Sequence, residues 1–135
     1  MKVLGIHHVA IAVKDLDEAL KRFSDVLGAR AEVEEVPEEK VRVAMIDLGN
    51  ARIELLQGLS PDSAISKFIE KRGEGIHHIA VEVDNIDEAC REISQKGYRL
   101  VYPEPKLVAG GKRRVNFVHP KDMHGVLLEL VEVVK

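Results

Sequence analysis

The sequence contains an internal repeat at an offset of 70 residues. IHHVAIAVKDLDEALKRFS begins at Ile6 and IHHIAVEVDNIDEACREIS begins at Ile76, and nine of the 19 aligned positions are identical. Each copy opens with an alternation typical of a strand and continues into a helical apolar stripe behind an N-cap residue, Asp15 or Asn85. This duplication predicts an α+β fold built from two tandem modules.

Three strand-like segments follow each predicted helix, so each module is predicted to be βαβββ. They lie near 30–36, 41–48 and 51–57 in module one (about 1–58), and near 98–102, 113–119 and 125–134 in module two (about 75–135). A helix over 60–72, with Ser60 as N-cap and Pro61 at its first position, is predicted to link the modules. The Pro- and Gly-rich segment from Pro103 to Gly111 is predicted to form a long loop, and this loop is the candidate for a mobile lid.

Composition restricts the class of protein. The 135 residues predict a single domain, 1–135. The net charge of -3 and the 4% aromatic residues disfavour nucleic-acid binding, and no apolar run reaches the ~18 residues that span a bilayer. The N-terminal segment lacks signal-peptide features, and the single cysteine, Cys90, is predicted to pack in the core. We therefore expect a cytoplasmic protein without nucleic-acid or membrane partners.

Two histidines and two glutamates recur at equivalent positions of the two copies. His8 and His78 lie on the first strand of each module, and Glu54 and Glu129 lie in the matching stretches ARIELLQ and VLLELVE. The apolar neighbours of both glutamates make burial of an unpaired carboxylate costly. Taken singly, each side chain is more often packed or solvated than functional, but recurrence favours a site for Co²⁺, Mn²⁺, Ni²⁺, Zn²⁺ or Fe²⁺.

A second histidine pair, His7 and His77, repeats equally well. In a strand these two side chains share a face with Val9 and Ile79, opposite to His8 and His78. We therefore predict that they support the fold or the ligands and do not bind the metal themselves.

Five stretches of the chain resemble one known family: HHVAIAVKDLDEAL, VPEEKVRVAMIDLGNARIELLQ, GEGIHHIAVEVDNIDEA, EPKLVAGG and RVNFVHPKDMHGVLLEL. Over essentially its full length the chain resembles the vicinal oxygen chelate (glyoxalase/bleomycin resistance/dioxygenase) superfamily, and within it the methylmalonyl-CoA epimerase family. The resemblance implies a cupped eight-stranded mixed sheet around one divalent metal ion, with His8, Glu54, His78 and Glu129 as ligands. It favours Co²⁺, with Mn²⁺, Ni²⁺ and Zn²⁺ as alternatives, and it implies an acyl-CoA substrate and a homodimer.

The reaction implied by the resemblance interconverts (2R)- and (2S)-methylmalonyl-CoA through proton abstraction at carbon 2. Inversion needs a proton removed from one face and returned to the other, and two bases are the simplest arrangement. Glu129 is the first choice for one base and Glu54 for the other. Some family members have glutamine at the position of Glu54 and use a glutamate on the preceding strand, where this chain has Val43. The second base therefore stays open between Glu54, a metal-bound water and Glu82.

A basic segment offers contacts for the anionic part of such a substrate. Five basic and two acidic residues lie between Leu100 and His124, a local balance of +3. This pattern predicts Lys112, Arg113 and Arg114 as substrate-binding residues, with a solvated turn as the equal alternative. A glyoxalase I-like lactoylglutathione lyase and a non-catalytic binding module of the same fold remain alternative functions.

Overall fold

The structure, a computed structural model, describes all 135 residues and contains three α-helices and eight β-strands. The strands are β1 (Val3–Ala12), β2 (Ala31–Val36), β3 (Val41–Asp47), β4 (Arg52–Gly58), β5 (Gly75–Val83), β6 (Lys106–Val108), β7 (Arg113–Val118) and β8 (Leu128–Val133). The helices are α1 (Leu16–Leu27), α2 (Ala64–Arg72) and α3 (Ile86–Gln95), with short 3₁₀ helices at Pro37–Glu39, Ala109–Gly111 and Pro120–Asp122. No helix combines the length and the apolar character needed to cross a membrane.

The order of the elements confirms two βαβββ modules and the predicted α+β class. In each module the first strand pairs in parallel with the last, and the remaining pairs are antiparallel, so strand pairing is mixed. The parallel pair requires a long connection, and the helix and two intervening strands provide it.

The chain divides into two compact units, His8–His77 and Met1–His7 with His78–Lys135. Polar contacts explain why the first residues group with the second module. The Lys2 N–H donates to the Asp84 carboxylate over 2.8 Å, and the N-terminal ammonium group of Met1 pairs with Glu88 and Glu92. We refer to these two parts as the first unit (8–77) and the second unit (1–7 with 78–135). The single-domain organisation stays a prediction.

In the first unit α1 covers one face of four strands in the order β2-β3-β4-β1. The predicted N-cap is confirmed, since the Asp15 carboxylate accepts the Glu18 N–H, and Gly28 ends the helix at φ 62°. The opposite sheet face packs against α2 through a second apolar cluster, whose buried members are Ala10, Ala12, Val41, Val43, Leu56 and Ile65.

In the second unit the strands run in the order β5-β8-β7-β6, and α3 packs on one face. Asn85 caps α3 by accepting the Glu88 N–H over 3.0 Å, as predicted. Cys90 is 8% exposed and lies in the cluster between α3 and β8, which confirms its place in the core. Burial raises the pKa of the Cys90 thiol, which disfavours the reactive thiolate.

The predicted start of the linking helix is wrong by three residues. The structure begins α2 at Ala64 with Ser63 as the N-cap, because the Ser63 hydroxyl accepts the Ser66 N–H over 3.0 Å. The Ser60 hydroxyl instead donates to Asp62, and its carbonyl accepts the Ser63 N–H, which makes a turn before the helix. Two serines three residues apart both satisfy the sequence rule for an N-cap, and only the turn decides between them.

The predicted strand at 98–102 is also wrong, and the predicted loop that follows contains a strand. Leu100 forms only an isolated bridge to Val118, and the regular strand β6 lies within the segment assigned to the loop. Both stretches pair with β7, but Pro103 and Pro105 separate them. Proline has no N–H to donate to a ladder, so the partner of β7 is divided into two short pieces.

Candidate functional site

In the first unit, adjacent strands place a histidine beside a glutamate. On β1, His8, Ala10 and Ala12 share one face, and Ala10 pairs in register with Glu54 of β4. This register brings His8 Nδ1 to 3.6 Å from the Glu54 Oε2 atom. The two residues are only 2% and 6% exposed and lie beside the apolar cluster on this sheet face.

The second unit contains the equivalent pair. On β5, His78 lies two residues before Ala80, which pairs in register with Glu129 of β8. The His78 Nε2 and Glu129 Oε1 atoms are 3.0 Å apart, and the residues are 9% and 6% exposed. The predicted repeat of the four side chains therefore corresponds to two buried histidine–glutamate pairs, one in each unit.

The donor groups of both pairs fit a divalent metal of the first transition row. Imidazole nitrogen and carboxylate oxygen are ligands that Zn²⁺, Co²⁺, Mn²⁺ and Ni²⁺ accept in proteins. Burial of a carboxylate costs free energy unless a cation or hydrogen-bond donor compensates it, and each glutamate here has an imidazole beside it. The side chains next to the pairs are small, since Ala10, Ala12 and Ala80 are all fully buried alanines.

The second histidine pair differs from the first in its surroundings. The ring of His77 packs edge-to-face on Phe68 of α2, with 4.9 Å between the ring centroids. This contact gives His77 a packing role in the first unit, in agreement with its predicted supporting function. His7 lies on β1 directly before His8, so its side chain leaves the opposite face of the strand.

The two glutamates considered for the second base, and Val43 at the position of the glutamate that some family members use, occupy very different environments. Val43 is 6% exposed, pairs in register with Leu56 and belongs to the apolar cluster under α2. Glu82 is on the same face of β5 as His78, but four residues along a strand correspond to about 13 Å. Glu54, in contrast, lies directly beside His8.

The three predicted substrate-binding residues separate onto different surfaces. Arg113 and Arg114 are successive residues of β7, so their side chains leave opposite faces of the sheet. Arg114 forms two hydrogen bonds to Asp87 of α3, at 2.7 and 2.8 Å, which raise the pKa of the arginine and lower that of the carboxyl group. Arg113 shares the face of Phe117, the residue that pairs with Glu129. Lys112 follows the 3₁₀ turn before β7.

Sequence reasoning missed three residues near the second pair. The Phe117 ring packs edge-to-face on His78 at 5.9 Å, and the Tyr102 ring packs in the same way on Phe117 at 5.8 Å. Behind them Asn116 is fully buried. Asn116 and Phe117 lie in NFVHPK, a part of the stretch RVNFVHPKDMHGVLLEL that carries the resemblance. An asparagine between apolar strand residues is the signal that could have identified them.

Comparisons with known proteins identify the family of this chain. A family described as the Glyoxalase/Bleomycin resistance protein/Dioxygenase superfamily matches residues 7–117. The mitochondrial methylmalonyl-CoA epimerase of Mus musculus is 46% identical over 131 residues, which are 96% of this chain and 73% of that protein. The chain belongs to the methylmalonyl-CoA epimerase family.

Solved structures support the same membership. The crystal structure of methylmalonyl-CoA epimerase from Mycobacterium tuberculosis has a TM-score of 0.91 and 40% identity, and the match covers 98% of this chain and 90% of that one. A variant of the Streptomyces coelicolor methylmalonyl-CoA epimerase in complex with 2-nitronate-propionyl-CoA has a TM-score of 0.90 and 35% identity, covering 99% and 100%. The predicted family is confirmed, and its named members are epimerases, which are isomerases.

Proposed function

We propose that this chain interconverts (2R)- and (2S)-methylmalonyl-CoA. The observation that carries this proposal is the near-full-length similarity to methylmalonyl-CoA epimerases, one of them in complex with an acyl-CoA compound, in a chain that repeats a buried histidine–glutamate pair. Because these relatives are epimerases, a lactoylglutathione lyase and a non-catalytic binding module are the less favoured alternatives.

We propose that His8, Glu54, His78 and Glu129 together hold one divalent metal ion. The donor chemistry supports this assignment, since two imidazoles and two carboxyl groups provide nitrogen and oxygen ligands, with a negative charge on each ionised carboxylate. When bound, such an ion supplies positive charge that stabilises the negative charge developing on the substrate oxygens. Co²⁺ is the first candidate, and metal analysis of the purified protein distinguishes it from Mn²⁺, Ni²⁺ and Zn²⁺.

Glu129 and Glu54 are proposed as the two bases. One carboxylate takes the proton from carbon 2, and the electron pair of that C–H bond passes into the enolate of the thioester. The second carboxyl group, in its acid form, then returns a proton to the opposite face, which inverts carbon 2. Each glutamate is buried on a sheet face beside a histidine, so both side chains are held in place by burial.

Substitution of Glu54 tests this pair. Glu54→Gln keeps an oxygen ligand but removes the base, so turnover is expected to fall by about 10²–10⁴-fold while the metal content is retained. Glu82→Gln is the matched control, because Glu82 is a carboxylate on the same strand as His78 but distant along it. Full activity of Glu54→Gln, or a loss confined to Glu82→Gln, would contradict the assignment.

The basic residues are proposed to bind the phosphates of CoA. Arg113 lies on the face of Glu129, whereas Arg114 already binds Asp87. Arg113→Ala is therefore expected to raise KM for methylmalonyl-CoA more than Arg114→Ala, with little change in kcat. Equal or reversed effects on KM would show that the face of the sheet does not determine the contact.

The epimerase proposal is tested directly by proton NMR of methylmalonyl-CoA in D₂O with the purified protein. We expect the proton signal at carbon 2 to disappear through exchange with D₂O. This exchange is expected to stop after chelation of the metal and to return when Co²⁺ is added. No exchange with metal-loaded protein would contradict the proposal, and the glutathione hemithioacetal would be the next substrate.

A homodimer and a cytoplasmic location are further proposals that rest on the family resemblance and on composition. Sedimentation equilibrium and cell fractionation test them.

A further inference from the structure

Asn116 is a fully buried amide that the proposed reaction does not use. Its Oδ1 atom accepts hydrogen bonds from the backbone N–H groups of Tyr102 at 3.1 Å and Phe117 at 2.8 Å. Its Nδ2 atom donates to the Tyr102 carbonyl at 3.1 Å and to the Cys90 sulfur at 3.5 Å. The amide thus donates twice and accepts twice, and a buried polar group satisfied in this way holds its partners rigidly.

The two bonds to Tyr102 replace strand pairing that the chain loses at this point. The preceding residue, Val101, donates its N–H to the Phe117 carbonyl at 2.8 Å, as in a ladder. Pro103 follows Tyr102 and has no N–H to continue the pairing. The Asn116 side chain binds both backbone groups of Tyr102 and so keeps the last residue before the prolines against β7.

The ring of Tyr102 begins a series of aromatic contacts that ends at His78. Asn116 and Phe117 are successive strand residues, so the amide lies on the α3 side of the sheet and the Phe117 ring on the side of Glu129. The Tyr102 ring meets the Phe117 ring at an interplanar angle of 81°, and the Phe117 ring meets the His78 ring at 88°. Edge-to-face contacts of this kind restrict the orientation of each ring.

We propose that Asn116 is a positioning residue for His78. It fixes the backbone of Tyr102, and the Tyr102 and Phe117 rings then restrain the imidazole that serves as a metal ligand. This inference rests on the proposed metal site and assigns to the NFVHPK stretch a role in ligand orientation. Loss of groups that orient a metal-bound histidine typically weakens metal affinity by about 10–100-fold.

The substitution Asn116→Leu tests the proposal, since leucine has a similar size but makes no hydrogen bonds. We expect Co²⁺ affinity, measured by competition with a chelator, to fall about tenfold and the visible spectrum of the bound Co²⁺ to change. Glu132→Ala is the matched control. Glu132 accepts the Ile86 N–H in the same unit and is not part of the series of aromatic contacts. Its removal is therefore expected to lower the stability of the fold but to leave the cobalt affinity and spectrum as in the wild type.

A second variant distinguishes ring positioning from a general loss of structure. Tyr102→Leu removes the ring but keeps the backbone groups that Asn116 binds, so it is expected to reproduce the cobalt defect even if Asn116→Leu does not fold. The double variant is expected to bind Co²⁺ no more weakly than Tyr102→Leu alone, because both changes interrupt one series of contacts.

Two outcomes would overturn the inference. These are wild-type cobalt affinity and spectrum in Asn116→Leu or Tyr102→Leu, and cobalt losses that add fully in the double variant. If the wild-type protein neither binds Co²⁺ nor exchanges the proton at carbon 2, the proposed function fails instead. The wild-type measurements therefore separate the two failures.

Discussion

Gly58 lies against two serine side chains of the first unit, so Gly58→Ala is expected to be strongly destabilising. A Cβ atom at Gly58 would lie 2.1 Å from Ser66 Oγ, 2.3 Å from Ser63 Oγ and 3.0 Å from the Ser66 nitrogen. The Ser63 hydroxyl can move only by rotation, which breaks its N-cap bond to the Ser66 N–H. Overpacking destabilises by about 1–3 kcal/mol, and the loss of an N-cap bond by about 1 kcal/mol. Together they lower the free energy of unfolding by about 2–4 kcal/mol.

Urea unfolding followed by far-UV circular dichroism measures this loss, and the absence of tryptophan makes dichroism the suitable signal. Ser66→Ala is the matched variant, because it removes the nearest clashing atom and keeps the backbone N–H that Ser63 caps. In the Gly58→Ala/Ser66→Ala double variant we expect the loss to be smaller than the sum by about 1 kcal/mol. A loss for Gly58→Ala below about 0.5 kcal/mol, the range of ordinary surface changes, or strict additivity would show that the serine side chains leave room for a Cβ atom.

Three other predictions concern the second unit. Glu132→Ala leaves the buried Ile86 N–H without its acceptor, so it is expected to lower the free energy of unfolding, measured in urea, by about 1–3 kcal/mol. Glu132→Gln keeps an acceptor and is expected to keep most of the stability. Equal losses in the two variants would contradict this role of Glu132. Arg99 lowers the pKa of Asp122 to about 2, so the stabilisation by the ionised carboxylate is present above about pH 4 and is lost as the pH falls through about 2. The urea midpoints of wild type and Asp122→Asn are therefore expected to converge below pH 4, and a constant difference down to pH 2 would disprove the pairing. Native Cys90 is expected to react with iodoacetamide far more slowly than the urea-unfolded thiol at pH 7, and equal rates would show that it is accessible.

Much of the local structure could be predicted because it depends on neighbours in sequence. Asp15 and Asn85 cap their helices through contacts three residues away, and the alternation on β1 and β5 places His8 and His78 on faces that also carry small alanines. The repeat added long-range information, since a duplicated module must reuse the same register. Glu54 and Glu129 could be matched with their histidines for this reason.

The predictions that were wrong concern segments where two local structures fit the sequence equally well. Ser60 and Ser63 both suit an N-cap, and the segment around Pro103 could continue as strand or as loop. In both places the outcome depends on hydrogen bonds to groups that are distant in sequence or that lie in a turn. Asn116 illustrates this, because its amide binds Tyr102 across 14 residues of chain.

The two βαβββ modules, the family and the histidine–glutamate repeat could be read from the amino-acid sequence, because periodicity and duplication are properties of the chain. Only the tertiary structure separated Arg113 from Arg114 and connected Asn116 to His78 through two aromatic rings. The side chains of successive strand residues point to opposite faces of the sheet. The elements that pack on each face then determine which contacts those side chains make. Side chains that are adjacent in the sequence therefore acquire different roles only when the sheet and α3 are in place.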